Sequence, residues 1–283
     1  MPNVHPTAVV EPGAQLADDV TVGPMCYVGE KVTLGKATRL VSHVSILART
    51  TLGSHNTVWP GAVLGADPQD LKFKGEDSLL TIGDHNELRE NVTIHIGTDN
   101  GGGSTQLGNH NMVMVGAHIA HDCIIHDHVL IANNCGLSGH VEVKSHANIA
   151  GLVGVHHFVT FGEHSFIGGM SRVVHDVPPY MIAEGDPAKV RGVNSIGLER
   201  HKFTPDAIAA LKDACRLLFP RSQDSAAVAN KVTDENIKAL EEKYPDQPQI
   251  KHLLAALENA RASALGRFRE TQRHDNRRTG QPK

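Results

Sequence analysis

Aliphatic residues recur at every sixth position over most of the first 178 residues. Written in sixes from Val4, the segments begin with Val, Leu or Ile in 25 of 26 cases, and the exception is Phe161. The second position is often Gly, and the fifth is small or narrow. Because only the first and fifth positions are constrained and hairpin signals do not recur, the pattern favours a parallel β-helix over an ordinary antiparallel sheet. Stacking of its coils would bury one continuous core.

Two polar segments interrupt the repeat. The first leaves its phase unchanged, since the sixes resume at Ile82. The second contains the run Asn100-Gly101-Gly102-Gly103-Ser104 and shifts the phase by one residue. We therefore predict an all-β parallel β-helix over residues 1–190, with loops at about 66–81 and 99–106.

The composition changes after Pro178-Pro179. Helix starts follow at Thr204-Pro205-Asp206, at Thr233-Asp234-Glu235 and near Pro248, with apolar residues at helical spacing behind them. Residues 191–269 are thus predicted to form a small α-helical C-terminal domain. Residues 270–283 are polar and basic and are predicted to be a disordered tail.

Composition and charge exclude several functional classes. Aromatic residues make up only 4%, so the core must be aliphatic. A net charge of -4 gives no general attraction to nucleic acid. No signal peptide or membrane span is recognisable, which predicts a cytoplasmic protein without integral membrane contact. Cys26, Cys123 and Cys135 occupy fifth positions, so we expect buried thiols rather than ligands or nucleophiles.

Histidines cluster in the middle of the repeat. Residues 18 apart should stack, which places His121, Gly139 and His157 in one column, with His140 and His156 beside it and His118 one corner away. Imidazole suits proton transfer at neutral pH, and the neighbouring Asp122 could orient the ring. We interpret His121 as the general base of an acyl transfer. A Zn²⁺ site built from three of these histidines remains an alternative.

The hexads resemble those of the hexapeptide-repeat transferases, which form a left-handed parallel β-helix. Over nearly its whole length the chain is similar to the UDP-N-acetylglucosamine 3-O-acyltransferases within that group. The specific match is HIAHDC at 118–123, followed by ANN at 132–134 and GHV at 139–141. Further matches are QDLK at 69–72, VTIH at 92–95 and DVPPY at 176–180.

The resemblance implies transfer of an (R)-3-hydroxyacyl chain from acyl carrier protein to the 3-hydroxyl of UDP-N-acetylglucosamine, the first step of lipid A synthesis. The enzyme would be a homotrimer without a cofactor or metal. His121 would be the base, supported by Asp122, and the Gly139 N–H would form the oxyanion hole. Substrate-binding residues would be Asp70, Lys72, His118, His140, His156, His157, Gly169, Asn194 and Arg200.

The sequence departs from the family pattern at three places. His157 stands where a Gln is expected, Ile196 where an acid often contacts the nucleotide, and His201 where a second Arg occurs. Gly168-Gly169 lies where the end of the acyl chain is gauged, which predicts a longer chain. The acidic carrier protein would dock on basic residues, for which the candidates are Arg172, Lys189, Arg191, Arg200 and Lys202.

Three other functions are compatible with the same residues. The N-acyltransferase of the same pathway shares the repeat and a catalytic His, although it normally carries an extra domain before the helix. A zinc-dependent carbonic anhydrase-like β-helix protein would use the histidines as ligands. A non-catalytic trimeric scaffold would not depend on His121.

Overall fold

The computed structural model describes residues 1–220 and 232–262, so the predicted tail at 270–283 lies outside the described residues. Twenty-six short strands come first, and nearly all end on the aliphatic residue that opens a hexad. They are β1 (Asn3–Val4), β2 (Val9–Val10), β3 (Gln15–Leu16), β4 (Thr21–Val22), β5 (Tyr27–Val28), β6 (Thr33–Leu34), β7 (Arg39–Leu40), β8 (Ser45–Ile46), β9 (Arg49–Leu52), β10 (Thr57–Val58), β11 (Val63–Ala66), β12 (Leu79–Ile82), β13 (Glu87–Leu88), β14 (Thr93–His95), β15 (Ser104–Leu107), β16 (Met112–Val113), β17 (His118–Ile119), β18 (Ile124–Ile125), β19 (Leu130–Ile131), β20 (Gly136–Leu137), β21 (Glu142–Val143), β22 (Asn148–Ile149), β23 (Gly154–Val155), β24 (Thr160–Phe161), β25 (Phe166–Ile167) and β26 (Arg172–Val173).

Every third strand belongs to the same parallel sheet, so three sheets line the coils of a β-helix. Sheet 1 starts with β1 and β4, sheet 2 with β2 and β5, and sheet 3 with β3 and β6. Partners lie 18 residues apart, as in Met112↔Leu130. Across the two loops the paired residues are 30 and 25 apart, which agrees with the predicted phases (Thr57↔Glu87 and Glu87↔Met112).

Both loops are shorter than predicted. Strand β12 begins at Leu79 and β15 begins at Ser104, so residues 79–81 and 104–106 belong to sheet 3. The reason is that β9, β12 and β15 each extend to four residues and pair along their full length. A single 3₁₀ turn at Asp99–Gly101 lies inside the second loop.

Hexad side chains at the first and fifth positions fill one continuous core. Leu34, Ile94 and Ile119 are fully buried, and Phe161 is the largest fully buried side chain among the described residues. Cys26, Cys123 and Cys135 are buried free thiols, as predicted. Each buried aliphatic side chain contributes roughly 1.5–3 kcal/mol, which replaces the aromatic bulk that the sequence lacks.

An antiparallel hairpin and four helices follow the coils. The hairpin, β27 (Met181–Gly185) and β28 (Ala188–Val193), extends sheet 1 through β25, and the predicted domain boundary at 190/191 falls inside β28. The helices are α1 (Ser195–Arg200), α2 (Pro205–Leu218), α3 (Asp234–Lys243) and α4 (Pro248–Arg261). Helices α2 and α3 begin at the expected caps, Thr204 and Thr233. Within the described chain, no helix is long and apolar enough to cross a membrane.

The corner between sheets 3 and 1 carries a column of stacked histidines, which we call the histidine ladder. Adjacent ring centroids lie 4.6–4.9 Å apart, and adjacent planes are within 6° of parallel. Every member has a positive φ, a conformation in which His is enriched among non-glycine residues. Burial, followed by neighbouring histidines, lowers the pKa of His164 to about 4 and also lowers the pKa of His146. The ladder consists of His55, His85, His110, His128, His146 and His164.

Candidate active site

His121 and Asp122 form a buried pair at the corner between sheets 2 and 3. The Nδ1 atom of His121 lies 2.7 Å from Oδ2 of Asp122. A carboxylate can only accept, so Nδ1 carries the proton and Nε2 keeps its lone pair. The His121 ring is therefore held in the tautomer that can remove a proton through Nε2.

The Asp122 carboxylate is fixed by the second loop. Its Oδ1 accepts a hydrogen bond from the Thr98 N–H at 2.8 Å, and its Oδ2 accepts one from the Thr98 hydroxyl at 2.7 Å. The Asp122 N–H donates to the Thr105 hydroxyl at 2.8 Å. A Cβ on Gly101 would overlap the carboxylate, so this position of the loop requires glycine. Since the Asp122 side chain is fully buried, these donors stabilise its charge in place of water.

Gly139 lies directly against the His121 ring. A Cβ at this position would lie 2.5 Å from Cε1 and 2.7 Å from Nε2 of His121, closer than any side chain is tolerated. Among the described residues no acceptor is found for the Gly139 N–H. Glycine therefore leaves a backbone donor accessible beside the basic nitrogen.

Three further histidines surround the pair. The His140 ring meets the His121 ring edge to face at 5.1 Å and stacks on Phe158. The His118 Nδ1 lies 2.8 Å from the Thr93 hydroxyl. Burial lowers the pKa of His118, and His121 lowers it further. Burial also lowers the pKa of His95 to about 4, with smaller contributions from His118 and His121. His118 and His95 are thus neutral at pH 7.

The other predicted site residues lie at separate places in this single chain. Asp70 and Lys72 are in the first loop, where the Asp70 carboxylate accepts the Lys72 N–H at 3.0 Å. His156 and His157 follow β23, one coil beyond His140, and their rings meet at 5.5 Å. Gly169 is exposed in the turn after β25.

Asn194 and Arg200 lie at the two ends of α1. The Asn194 side chain accepts the Gly197 N–H and donates to the His164 carbonyl oxygen at 2.9 Å, which makes it the cap of this helix. Arg200 is exposed in the last turn. Their predicted substrate contacts stay a prediction.

Sequence reasoning missed the residues that orient the pair. Thr98 and Thr105 bond Asp122 from the second loop and from β15, and His95 is buried beside His118. The loop interrupts the hexad period, so spacing could not place Thr98 opposite Asp122. The available signal was the GT at 97–98 and the glycine run, which carried the resemblance but had no assigned role.

The same corner was considered as a metal site. His121, Asp122 and His140 have potential ligand atoms within 4.8 Å of one another. However, both Asp122 oxygens already accept hydrogen bonds from Thr98, and Oδ2 also accepts the one from His121. A carboxylate with three donors is a hydrogen-bond acceptor that orients His121, so the geometry favours general-base chemistry over a zinc hydratase.

Comparison with known proteins was made at the level of family, sequence and structure. A family profile described as UDP N-acetylglucosamine O-acyltransferase, domain 2, matches residues 176–265, and one described as bacterial transferase hexapeptide (six repeats) matches 104–139. A Thiobacillus denitrificans protein named acyl-[acyl-carrier-protein]–UDP-N-acetylglucosamine O-acyltransferase is 43% identical over 85% of this chain and 93% of its own length. A Burkholderia lata protein of the same name is 47% identical over 77% and 84%.

Solved structures agree with this assignment. The structure of LpxA from Acinetobacter baumannii matches with a TM-score of 0.84 and 38% identity, covering 90% of this chain and 96% of that one. The UDP-N-acetylglucosamine O-acyltransferase from Moraxella catarrhalis matches with a TM-score of 0.83 and 41% identity, with the same coverage. The predicted left-handed parallel β-helix is confirmed by this likeness. The chain belongs to the family of acyl-[acyl-carrier-protein]–UDP-N-acetylglucosamine O-acyltransferases.

Proposed function

We propose that this enzyme transfers an (R)-3-hydroxyacyl chain from acyl carrier protein to the 3-hydroxyl of UDP-N-acetylglucosamine, with His121 as the general base. The supporting observation is the buried His121–Asp122 pair, which leaves Nε2 unprotonated beside a glycine N–H. The relatives carry both substrates in their names. The proposal includes the cytoplasmic location predicted from the sequence.

The proton transfer runs through Nε2 of His121. This atom accepts the sugar hydroxyl proton while the hydroxyl oxygen forms a bond to the thioester carbonyl carbon. The resulting oxyanion accepts a hydrogen bond from the Gly139 N–H. When the tetrahedral intermediate collapses, the carbon–sulfur bond breaks and the proton passes from Nε2 to the departing thiolate of the carrier. Asp122 stabilises the charged ring during these steps.

The acyl chain is proposed to lie along the outer face of sheet 2. His118, Gly136 and Gly154 occupy consecutive outward positions on this sheet in adjacent coils. A Cβ on either glycine would meet no atom within 4 Å, so the face is open. Gly169, two coils after Gly136 in chain order, would mark the far end and leave room for a longer chain.

Replacing Gly169 by Met is expected to shift donor preference toward shorter chains by at least about tenfold, because the longer side chain would fill the far end of this groove. The backbone tolerates it, since a Cβ there approaches the Gly151 carbonyl oxygen no closer than 3.3 Å. A donor series assayed for kcat/KM checks this. Wild type preferring the shortest donor, or an unchanged preference in Gly169→Met, would refute the assignment.

The carrier protein is proposed to dock on basic residues near the hairpin and α2. Of the predicted residues, Arg172 and Arg191 pair with Asp186 and Glu184, while Arg200 and Lys202 are exposed. A groove of about 550 Å³ beside them adds two cations that the sequence reading missed. Its lining residues are Arg191, Gly192, Val193, Lys212, Cys215, Arg216, Phe219 and Pro220. Such a face complements an acidic partner.

The enzyme is proposed to be a homotrimer in which substrate residues such as Asp70 and Asn194 act across the groove between chains. The separation of these residues in sequence and fold from the His121 corner supports this arrangement. A mass in solution of three chains is expected by light scattering, and a monomer that is fully active would refute it.

The reaction is tested with purified enzyme, (R)-3-hydroxyacyl carrier protein and UDP-N-acetylglucosamine, with a chelator present. We expect turnover to an alkali-labile ester and none to an amide with the corresponding 2-amino sugar. Amide formation would establish the N-acyltransferase instead. No product with any donor length would leave the family scaffold without the proposed reaction.

A further inference from the structure

Helix α1 places a third histidine against the buried end of the histidine ladder. The ring of His201, which caps α1, lies 4.7 Å from the rings of both His146 and His164. It stands at 61° and 66° to them, whereas the two ladder rings are nearly parallel. One nitrogen from each of the three rings lies within 4.8 Å of the others. No side chain near the predicted active-site corner takes part in this cluster.

We propose that His146, His164 and His201 bind one divalent transition-metal ion of the Zn²⁺ type. Three imidazoles are the donor set that zinc, copper and nickel prefer, and one that calcium and magnesium avoid. Neutral imidazole is the ligand form, and His146 and His164 are half-buried and buried, respectively.

The surrounding charge favours a cation. The carboxylates of Glu163 and Asp127 lie close enough to His146 to favour a positive charge at its ring. Glu163 also lies 3.6 Å from His252, so a carboxylate borders the cluster from the side of α4 as well. The local electrostatic field thus attracts an ion with a charge of two.

Binding requires a defined movement. Zn–N bonds of about 2.0–2.1 Å need ligand atoms closer together than they are here, so the two stacked ladder rings must tilt toward each other. His201 is exposed at the end of a short helix and can follow. The ion would then connect α1 to the last coils of the β-helix and raise the thermal stability of the protein.

The test uses the untagged full-length enzyme, stripped of metal by chelator and titrated with Zn²⁺ against a competing indicator, so that weak surface histidines stay empty. We expect one ion per chain in the wild type, with an affinity at least about tenfold above that of the His201→Ala variant. Co²⁺ substituted into the wild type should give a visible absorption band that His201→Ala lacks. The melting temperature should rise with Zn²⁺ in the wild type alone.

Two control variants distinguish this site from its surroundings. His110→Ala removes a ladder ring that stacks between His85 and His128, away from His201, and should bind Zn²⁺ like the wild type. His121→Ala should also bind like the wild type, because the active-site corner is not the proposed site. Loss of binding in His121→Ala but not in His201→Ala would overturn the proposal, as would wild type that binds no ion. These outcomes are independent of acyl transfer, which is measured with chelator present.

Discussion

The His121→Ala enzyme is expected to lose at least about 10³-fold in kcat, because general-base catalysis contributes roughly 10²–10⁴-fold and the ring also contacts the reacting group. KM for UDP-N-acetylglucosamine should change little, since His118 and His140 remain in place. Steady-state acyl transfer at saturating donor measures both parameters. A kcat within tenfold of the wild type would remove His121 from its role as the base.

The Asp122→Asn variant separates orientation of the base from the base itself. An amide presents an N–H₂ group that can donate to Nδ1 or face the Thr98 donors, so the ring is no longer held with its proton on Nδ1. We expect a loss of about 10²–10³-fold in kcat with the folded state retained.

Asp127→Asn is the matched control for this substitution. Asp127 lies on the next corner of the same coil, and its carboxylate accepts the Asn109 N–H at 2.6 Å, much as Asp122 accepts that of Thr98. Its replacement should leave kcat near the wild-type value. Equal losses in the two variants would mean that the Asp122 effect is structural.

The hexad repeat made much of this fold and site predictable. Since its period is six and three hexads form a coil, residues 18 apart had to stack, which put Gly139 against His121 without any structure. The same rule also places the histidine ladder, because His recurs at the fourth position of every third hexad from His55 onward. That signal was present in the sequence but passed unnoticed, since the cluster around His121 drew the attention.

The features that could not be predicted are those that leave the repeat. Thr98 reaches Asp122 through a loop whose path no period describes. The hairpin from Met181 to Val193 changes from parallel to antiparallel pairing, and its residues carry no hexad spacing. Helix α1 has only six residues, one of them Gly197, so its helical propensity is weak and its formation depends on packing and on the Asn194 cap.

Acidification is expected to destabilise the enzyme through His95. The side chain is 5% exposed, and burial lowers its pKa from 6.5 to about 4. Between these values the unfolded chain binds the proton and the folded one does not, so the free energy of unfolding falls as the pH drops below about 6.5. The loss reaches about 2 kcal/mol at pH 5 and about 3 kcal/mol near pH 4. The pKa of His118 is lowered too, and it acts in the same direction.

The His95→Gln variant isolates this contribution. It should be less stable than the wild type at pH 7.5, yet lose about 2 kcal/mol less between pH 7.5 and pH 5. Urea unfolding at both pH values, with chain concentration held fixed because the enzyme is proposed to be a trimer, measures the difference. His5→Gln, at an exposed position of the first coil, should behave like the wild type. If His95→Gln keeps the full wild-type loss, the acid sensitivity originates elsewhere, because a side chain that no longer titrates cannot couple folding to proton binding.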